Sequence, residues 1–213
     1  MAEASEFVKS LKSPFQWIAV SLMVLFLAAI VLSPVRLSSR SAILAPVPLQ
    51  DTHVIGLAMF QYANDHNGAY PTGTSSTEVF QKLIDEKYLP DAAIFYQAVL
   101  DIPGKTKATS NVLKPENVCW DVTVPLDVTS SDLVPVVFST GYKINYVPGG
   151  SAVPLFSSSE DRPSGIAVHY HGNNAAWLKN DGQPDGIVTN FISQAFEPAG
   201  KKYQQLTPDG PLP

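Results

Sequence analysis

From Lys12 to Arg36 the chain carries no charged residue, and within that interval Phe15 to Leu32 is an almost unbroken apolar run. As a helix, a run of that length spans a hydrocarbon layer of about 30 Å. Trp17 sits near one end, where an indole suits the membrane interface, and Pro34 stands where the helix would leave the lipid. The run is longer than the apolar region of a secretory signal, and "LSPVRLSSR" contains no small-residue cleavage pattern, so an uncleaved anchor is expected. Lys9 and Lys12 face Glu3 and Glu6 on one side of the run, and Arg36 and Arg40 follow on the other. That near balance leaves the orientation open on charge alone.

The remainder divides the chain into a short tail (1–14), the apolar segment (15–34), a linker (35–50), a soluble domain (51–196) and a proline-rich C-terminal tail (197–213). In the linker, Pro46 and Pro48 remove helix donors and favour extended neighbours. From Asp51 to about His66 a helix is predicted, capped by Asp51 or Thr52, with Ile55, Met59 and Tyr62 on one stripe widened by Val54, Leu57 and Ala58. "NDHNG" then stops it: Asn and Asp compete for backbone hydrogen bonds, and Gly68 tolerates the left-handed conformation that closes a helix. Tyr70-Pro71 sends the chain away extended, with the tyrosine packing back on the domain.

"STEVFQKLIDEKYLPD" predicts a second short helix, capped by Ser76 or Thr77, with Val79, Phe80, Leu83 and Ile84 facing inward and Leu89-Pro90 ending it. Beyond it the pattern turns to β: "NVCWDVTV", "LVPVVFST", "YKINYV" and "GIAVHYHGNNAAWLKN" are Val-, Ile- and aromatic-rich runs separated by turn residues. The last reads as a hairpin turning near Gly172-Asn173-Asn174.

This organisation, and "HVIGLAMFQYANDHNGAYP" in particular, resembles the type II secretion pseudopilins related to the major pseudopilin. Their first globular-domain helix reads like "L-x-x-I-G-L-A-L-x-x-Y-A-x-D-x-x-G-x-F-P", matched here by Ile55, Gly56, Leu57, Ala58, Tyr62, Ala63, Asp65, Gly68, Tyr70 and Pro71. "LIDEKYLPDAAIF" and "GIAVHYHGNNAAWL" resemble two later family segments more loosely. The prepilin signature Gly-Phe-Thr-Leu-x-Glu is absent. Its nearest equivalent is Pro14-Phe15-Gln16-Trp17-Ile18-Ala19, with proline for the processed glycine and alanine for the glutamate. The resemblance implies an α+β fold: an N-terminal transmembrane helix, then a pilin-like helix packed on a small antiparallel β-sheet. It also implies a pilin-like protein that has lost peptidase processing.

Candidate sites are few. His169 and His171 lie two apart in a predicted strand and share one face, so they present two nitrogen ligands. Only His53 and His66 remain to complete such a set, and surface or edge-strand histidines are the simpler reading. "NDGQPDG" places Asp181 and Asp185 in a glycine-rich loop of the kind that offers oxygen ligands to calcium. The family's C-terminal calcium loop adds to that reading, although the spacing is not that of an EF-hand and Asp-Gly is ordinary turn chemistry. Asp65 to Gly68 is explained by helix termination. Cys119, the only cysteine, excludes an intramolecular disulfide and reads as a buried structural thiol.

No nucleophile elbow, phosphate-binding glycine loop, dinucleotide fingerprint or H-E-x-x-H motif is present, and "SSSED" (157–161) reads as a solvated loop. Trp120, Tyr142, Tyr146, Tyr170 and Trp177 alternate with polar residues as sheet packing requires. A net charge of -5 gives no reason to expect nucleic acid. The expected function is therefore non-enzymatic, with no catalytic residue, no resident cofactor beyond the calcium candidate and no small-molecule substrate. The expected protein is a single-pass structural subunit of a bacterial inner-membrane secretion or pilus-related assembly, its domain on the periplasmic side and its partners lipid and other membrane subunits. Two other readings stay open: an accessory scaffold of an unrelated integral membrane complex, and a membrane-tethered metal- or ligand-binding protein.

Overall fold

The computed structural model describes residues 46–156, 165–180, 185–198 and 200–212. Helix α1 runs Pro46–Asp65 and helix α2 runs Ser76–Asp85. Eight strands follow: β1 (Trp120–Val124), β2 (Pro135–Ser139), β3 (Tyr142–Ile144), β4 (Ala152–Pro154), β5 (Gly165–Tyr170), β6 (Ala175–Lys179), β7 (Gln204–Thr207) and β8 (Gly210–Pro211). Six of them form one antiparallel sheet in the order β6-β5-β2-β1-β7-β8, and β3 and β4 pair separately.

Register assigns the two faces. Val122 on β1 is opposite Val137 on β2, which is opposite His169 on β5, so these three share the face that α1 covers. Trp120, wholly buried, belongs to the same face and donates its indole N–H to the Ile94 carbonyl in a short 3-10 turn. Asp121, Thr123, Phe138 and Val168 occupy the other face. There Tyr146 meets Thr123 at 2.7 Å, Phe138 packs edge-on against Phe191, and Gln205 of β7 reaches Tyr142 of β3. Strands β1 and β2 are thus covered on both sides, so even the polar residues of β1, Asp121 and Thr123, are buried.

The fold expected from the sequence is corrected here. Among the described residues no helix is long and apolar enough to cross a membrane. The longest, α1, has 20 residues but carries Gln50, Asp51, His53, Gln61, Asn64 and Asp65 and lies on a six-stranded sheet, not a small one. The apolar stretch 15–34 and the prepilin-like residues Pro14 to Ala19 lie outside the described residues.

The linker reading also changes at its end. α1 already begins at Pro46, because a proline in the first helical turn sacrifices only a donor that has no partner there. Thr52 does not cap: its hydroxyl donates back to the Pro48 and Leu49 carbonyls, and Asp51 instead accepts from Gln97 Nε2 at 2.6 Å. The helix stops as the sequence requires. Asn67 and Gly68 take positive φ (53° and 85°), and Gly68 N–H donates to the Ala63 carbonyl at 2.8 Å. Tyr70 then turns inward, is buried, and donates its N–H to the Leu126 carbonyl.

α2 starts one residue earlier than a Ser76 cap would place it. Ser75 is the N-cap and its side chain accepts from Glu78 N–H, while Ser76 and Thr77 donate to the Trp120 and Pro208 carbonyls. We expect Ser75→Ala to lower stability by about 1 kcal/mol, measured by urea unfolding. An unchanged midpoint would mean that the two neighbouring hydroxyls alone hold that turn. The segment 197–213, read from sequence as a tail, supplies β7 and β8, with Leu206 opposite Val122 of β1 and opposite Pro211.

Candidate functional site

The candidate site is a cavity under α1, and it exists because a glycine lets helix and sheet approach. Gly56 is buried against the His169 ring, and a Cβ added there would overlap the imidazole. With the helix held this close, Leu57, Phe60, Tyr70, His169, His171 and Asn173 enclose a cavity of about 150 Å³. The β5–β6 hairpin supplies its polar wall. Its turn falls where the sequence places it, with Asn173 at φ 62° and its N–H donating to the Tyr170 carbonyl at 3.0 Å.

His169 and His171 do share a face, but they are not surface or edge-strand histidines. β5 is second from the sheet edge and is roofed by α1, and His169 is 3% exposed. Its Nδ1 has no hydrogen-bond partner, and burial first, then the charges of His53 and His171, lower its pKa to about 4. The ring is therefore neutral at physiological pH. His53 packs beside it with ring centroids 5.3 Å apart, at a shallow depression that also involves Leu49, Gln50 and Ala175.

His171 lies next to Tyr70, 5.5 Å between centroids, with its side chain 7% exposed. Neither of its nitrogens makes a hydrogen bond, although the exposed Asp132 carboxylate stands 3.6 Å from Nδ1. Tyr70 is itself buried enough that its pKa rises to about 12. The enclosure is thus a largely apolar space walled by two imidazoles, three of whose nitrogens are buried without a hydrogen-bond partner. No family model, curated protein or solved structure matches this chain.

Among the described residues, the other sequence candidates do not join this site. Asp185 is exposed and its carboxylate accepts from the Ile187 N–H at 3.1 Å, an ordinary Asx turn, while Asp181 lies outside the described residues, as does 157–161. Among the described residues no three His, Cys, Asp or Glu side chains gather in a way that could hold a metal. His66 serves the helix end: it stacks on Tyr62, contacts the Tyr62 carbonyl through Nδ1 at 2.8 Å and pairs with Glu86 at 3.2 Å. Asp65 accepts from the Tyr88 hydroxyl. Cys119 is buried and free, and burial pushes its thiol pKa up, away from nucleophilic use.

A larger depression of about 450 Å³ lies between Pro90–Ala93 and Lys107–Asn111. There Asn111 already bonds the Pro90 carbonyl and the Ala92 N–H, so its polar groups are spent on holding the loop. What sequence reasoning missed is the histidine enclosure. The His169–His171 pair was visible in the sequence, but the signal for its burial was Gly56 in mid-helix.

Proposed function

We propose that this chain is a non-enzymatic structural subunit of a bacterial envelope assembly, acting on the extracytoplasmic side of the inner membrane and docking through α1. The observation that carries this reading is the outer face of that helix. Val47, Val54, Leu57 and Phe60 are 37–47% exposed, while Ile55, Ala58, Met59, Tyr62 and Ala63 bury the opposite side. The other exposed residues of α1 are Gln50, Gln61, Asn64 and, at its C-terminal end, Asp65, so one charge stands on that side and it is engaged by the Tyr88 hydroxyl. A helix exposed to water on one side normally carries its charges there. This one is built to be covered on both sides, as a subunit helix would be when it packs against a neighbour. The helix-stop resemblance to pseudopilins favours a secretion- or pilus-related neighbour over an unrelated complex.

The test is gentle solubilisation of native membranes and recovery of this chain, comparing the unmodified protein with Leu57→Glu/Phe60→Glu. We expect the partner subunits to be lost from the variant while its thermal unfolding stays close to that of the parent, since exposed substitutions usually change stability by no more than about 0.5 kcal/mol each. Partners retained undiminished by the charged variant would refute docking through this face.

A further inference from the structure

We infer that the cavity between α1 and the β5–β6 hairpin is a receptor for a single hydroxyl-bearing six-membered ring, namely a tyrosine side chain presented by the docked partner. Size is the first argument: a space of about 150 Å³ is the volume at which an apolar protein cavity takes up one benzene-sized ring. The walls are the second. Leu57, Phe60 and Tyr70 give apolar and aromatic contact, whereas His169 Nδ1 and both His171 nitrogens are buried without hydrogen-bond partners. Such orphaned groups are costly, and a bound group that bonds them recovers that cost.

The chemistry of the polar group follows from theirs. A neutral imidazole presents one donor and one acceptor, so a hydroxyl, which both gives and takes a hydrogen bond, can satisfy either tautomer. An ammonium only donates. A carboxylate only accepts and would bring a charge into an enclosure whose lining side chains include no lysine or arginine. The lining points to the source. Leu57 and Phe60 both line the cavity and are exposed on the largely apolar outer face of α1, so a partner covering that face lays its side chains beside the cavity. A buried aromatic anchor in a pocket surrounded by an apolar rim is how interface energy is usually concentrated. The partner assignment rests on the docking reading above; the affinity of the cavity for the ring does not.

The experiment uses the purified protein without its partner. p-Cresol, toluene and N-acetyltyrosinamide are titrated while the imidazole proton and nitrogen resonances of His169 and His171 are followed by NMR. p-Cresol is expected to bind about tenfold more tightly than toluene, the equivalent of one or two hydrogen bonds, and to shift both imidazoles. That preference should vanish in His171→Phe, which keeps a ring and removes the nitrogens, and binding should be lost in Leu57→Trp, which enlarges a lining side chain and leaves both histidines in place. Thermal unfolding of each variant establishes that it is folded. Equal binding of toluene and p-cresol, or no binding of either with the parent folded, overturns the inference. N-acetyltyrosinamide binding at least as well as p-cresol supports a side chain delivered by a partner. Exclusion of the amide while p-cresol binds overturns that source and leaves a small free phenol. Loss of copurifying partners in Leu57→Glu/Phe60→Glu with no ring binding would retain the docking surface and reject the receptor.

Discussion

Gly56→Ala destabilises this domain by about 2 kcal/mol or more, although alanine is the better helix former by about 1 kcal/mol. The sign is what makes the result informative. At an open helical position the substitution stabilises, but here the new methyl would meet the His169 ring, which β5 holds in the sheet and α1 covers. Either the helix lifts, opening the contacts of Ile55 and Met59, or the imidazole is driven from its place. Combining Gly56→Ala with His169→Ala removes the obstacle, so the glycine substitution should become neutral or stabilising in that background. A double-mutant cycle by denaturant unfolding would read the difference as a coupling of 2–3 kcal/mol on the same scale. Additivity of the two changes would show that the glycine and the histidine do not limit the helix–sheet distance.

The second large effect is on pH. Asp121 is fully buried on the face away from α1, and burial raises its pKa to about 7 even though hydrogen bonds from Thr140 and Gln205 pull it down. Between its ordinary value and 7 the folded state keeps the proton that the unfolded chain has released. Stability from this group therefore falls as pH rises, by about 1.4 kcal/mol per unit. His169 acts with the opposite sign. Its folded pKa is lowered to about 4, so between 4 and 6.5 the unfolded chain holds the extra proton and stability rises with pH. Over pH 4–6.5 the two slopes nearly cancel, leaving a decline from 6.5 to about 7.

Asp121→Asn keeps an oxygen to accept from Gln205 Nε2, which now lies 2.7 Å from the carboxylate, and removes the cost of ionising it. The variant should be more stable than the parent at pH 8, by up to about 4 kcal/mol from a three-unit shift. It should also lose stability steeply as pH falls from 6.5, because the His169 slope is now unopposed. Unfolding midpoints in urea across pH 4.5–8.5 would measure both. A variant less stable than the parent by the same amount at every pH would show that Asp121 carries no such proton. Gln205 makes the site more than a local matter, since it also donates to the Tyr142 carbonyl and accepts from the Ile144 N–H, joining the six-stranded sheet to the β3–β4 pair.

The elements that were legible in the sequence are those set by neighbours within a few residues. Asn67 and Gly68 end α1 because their backbones enter the left-handed region there, and the same local chemistry at Asn173 turns the β5–β6 hairpin. Val79, Phe80, Leu83 and Ile84 recur at helical spacing and are all buried in α2. Ser75 was missed as a cap by one residue, because three consecutive hydroxyls offer the same signal and only their partners, Glu78 N–H against the Trp120 and Pro208 carbonyls, separate them.

What the tertiary structure decided lies where the reason is far away in the chain. Pro46 and Pro48 read as an extended linker, yet a helix packed on β5 recruits them as its first turn. The polar run 204–211 has little to mark it as strand until β1 offers it an edge. His169 looks like any strand histidine until α1 descends on it, and α1 can descend only because residue 56 has no side chain. Local sequence fixes φ, ψ and periodicity through short-range sterics and hydrogen bonds. Burial of Asp121 and His169, and with it their protonation, depends on which distant surfaces close over them, and that is a property of the assembled sheet and helices alone.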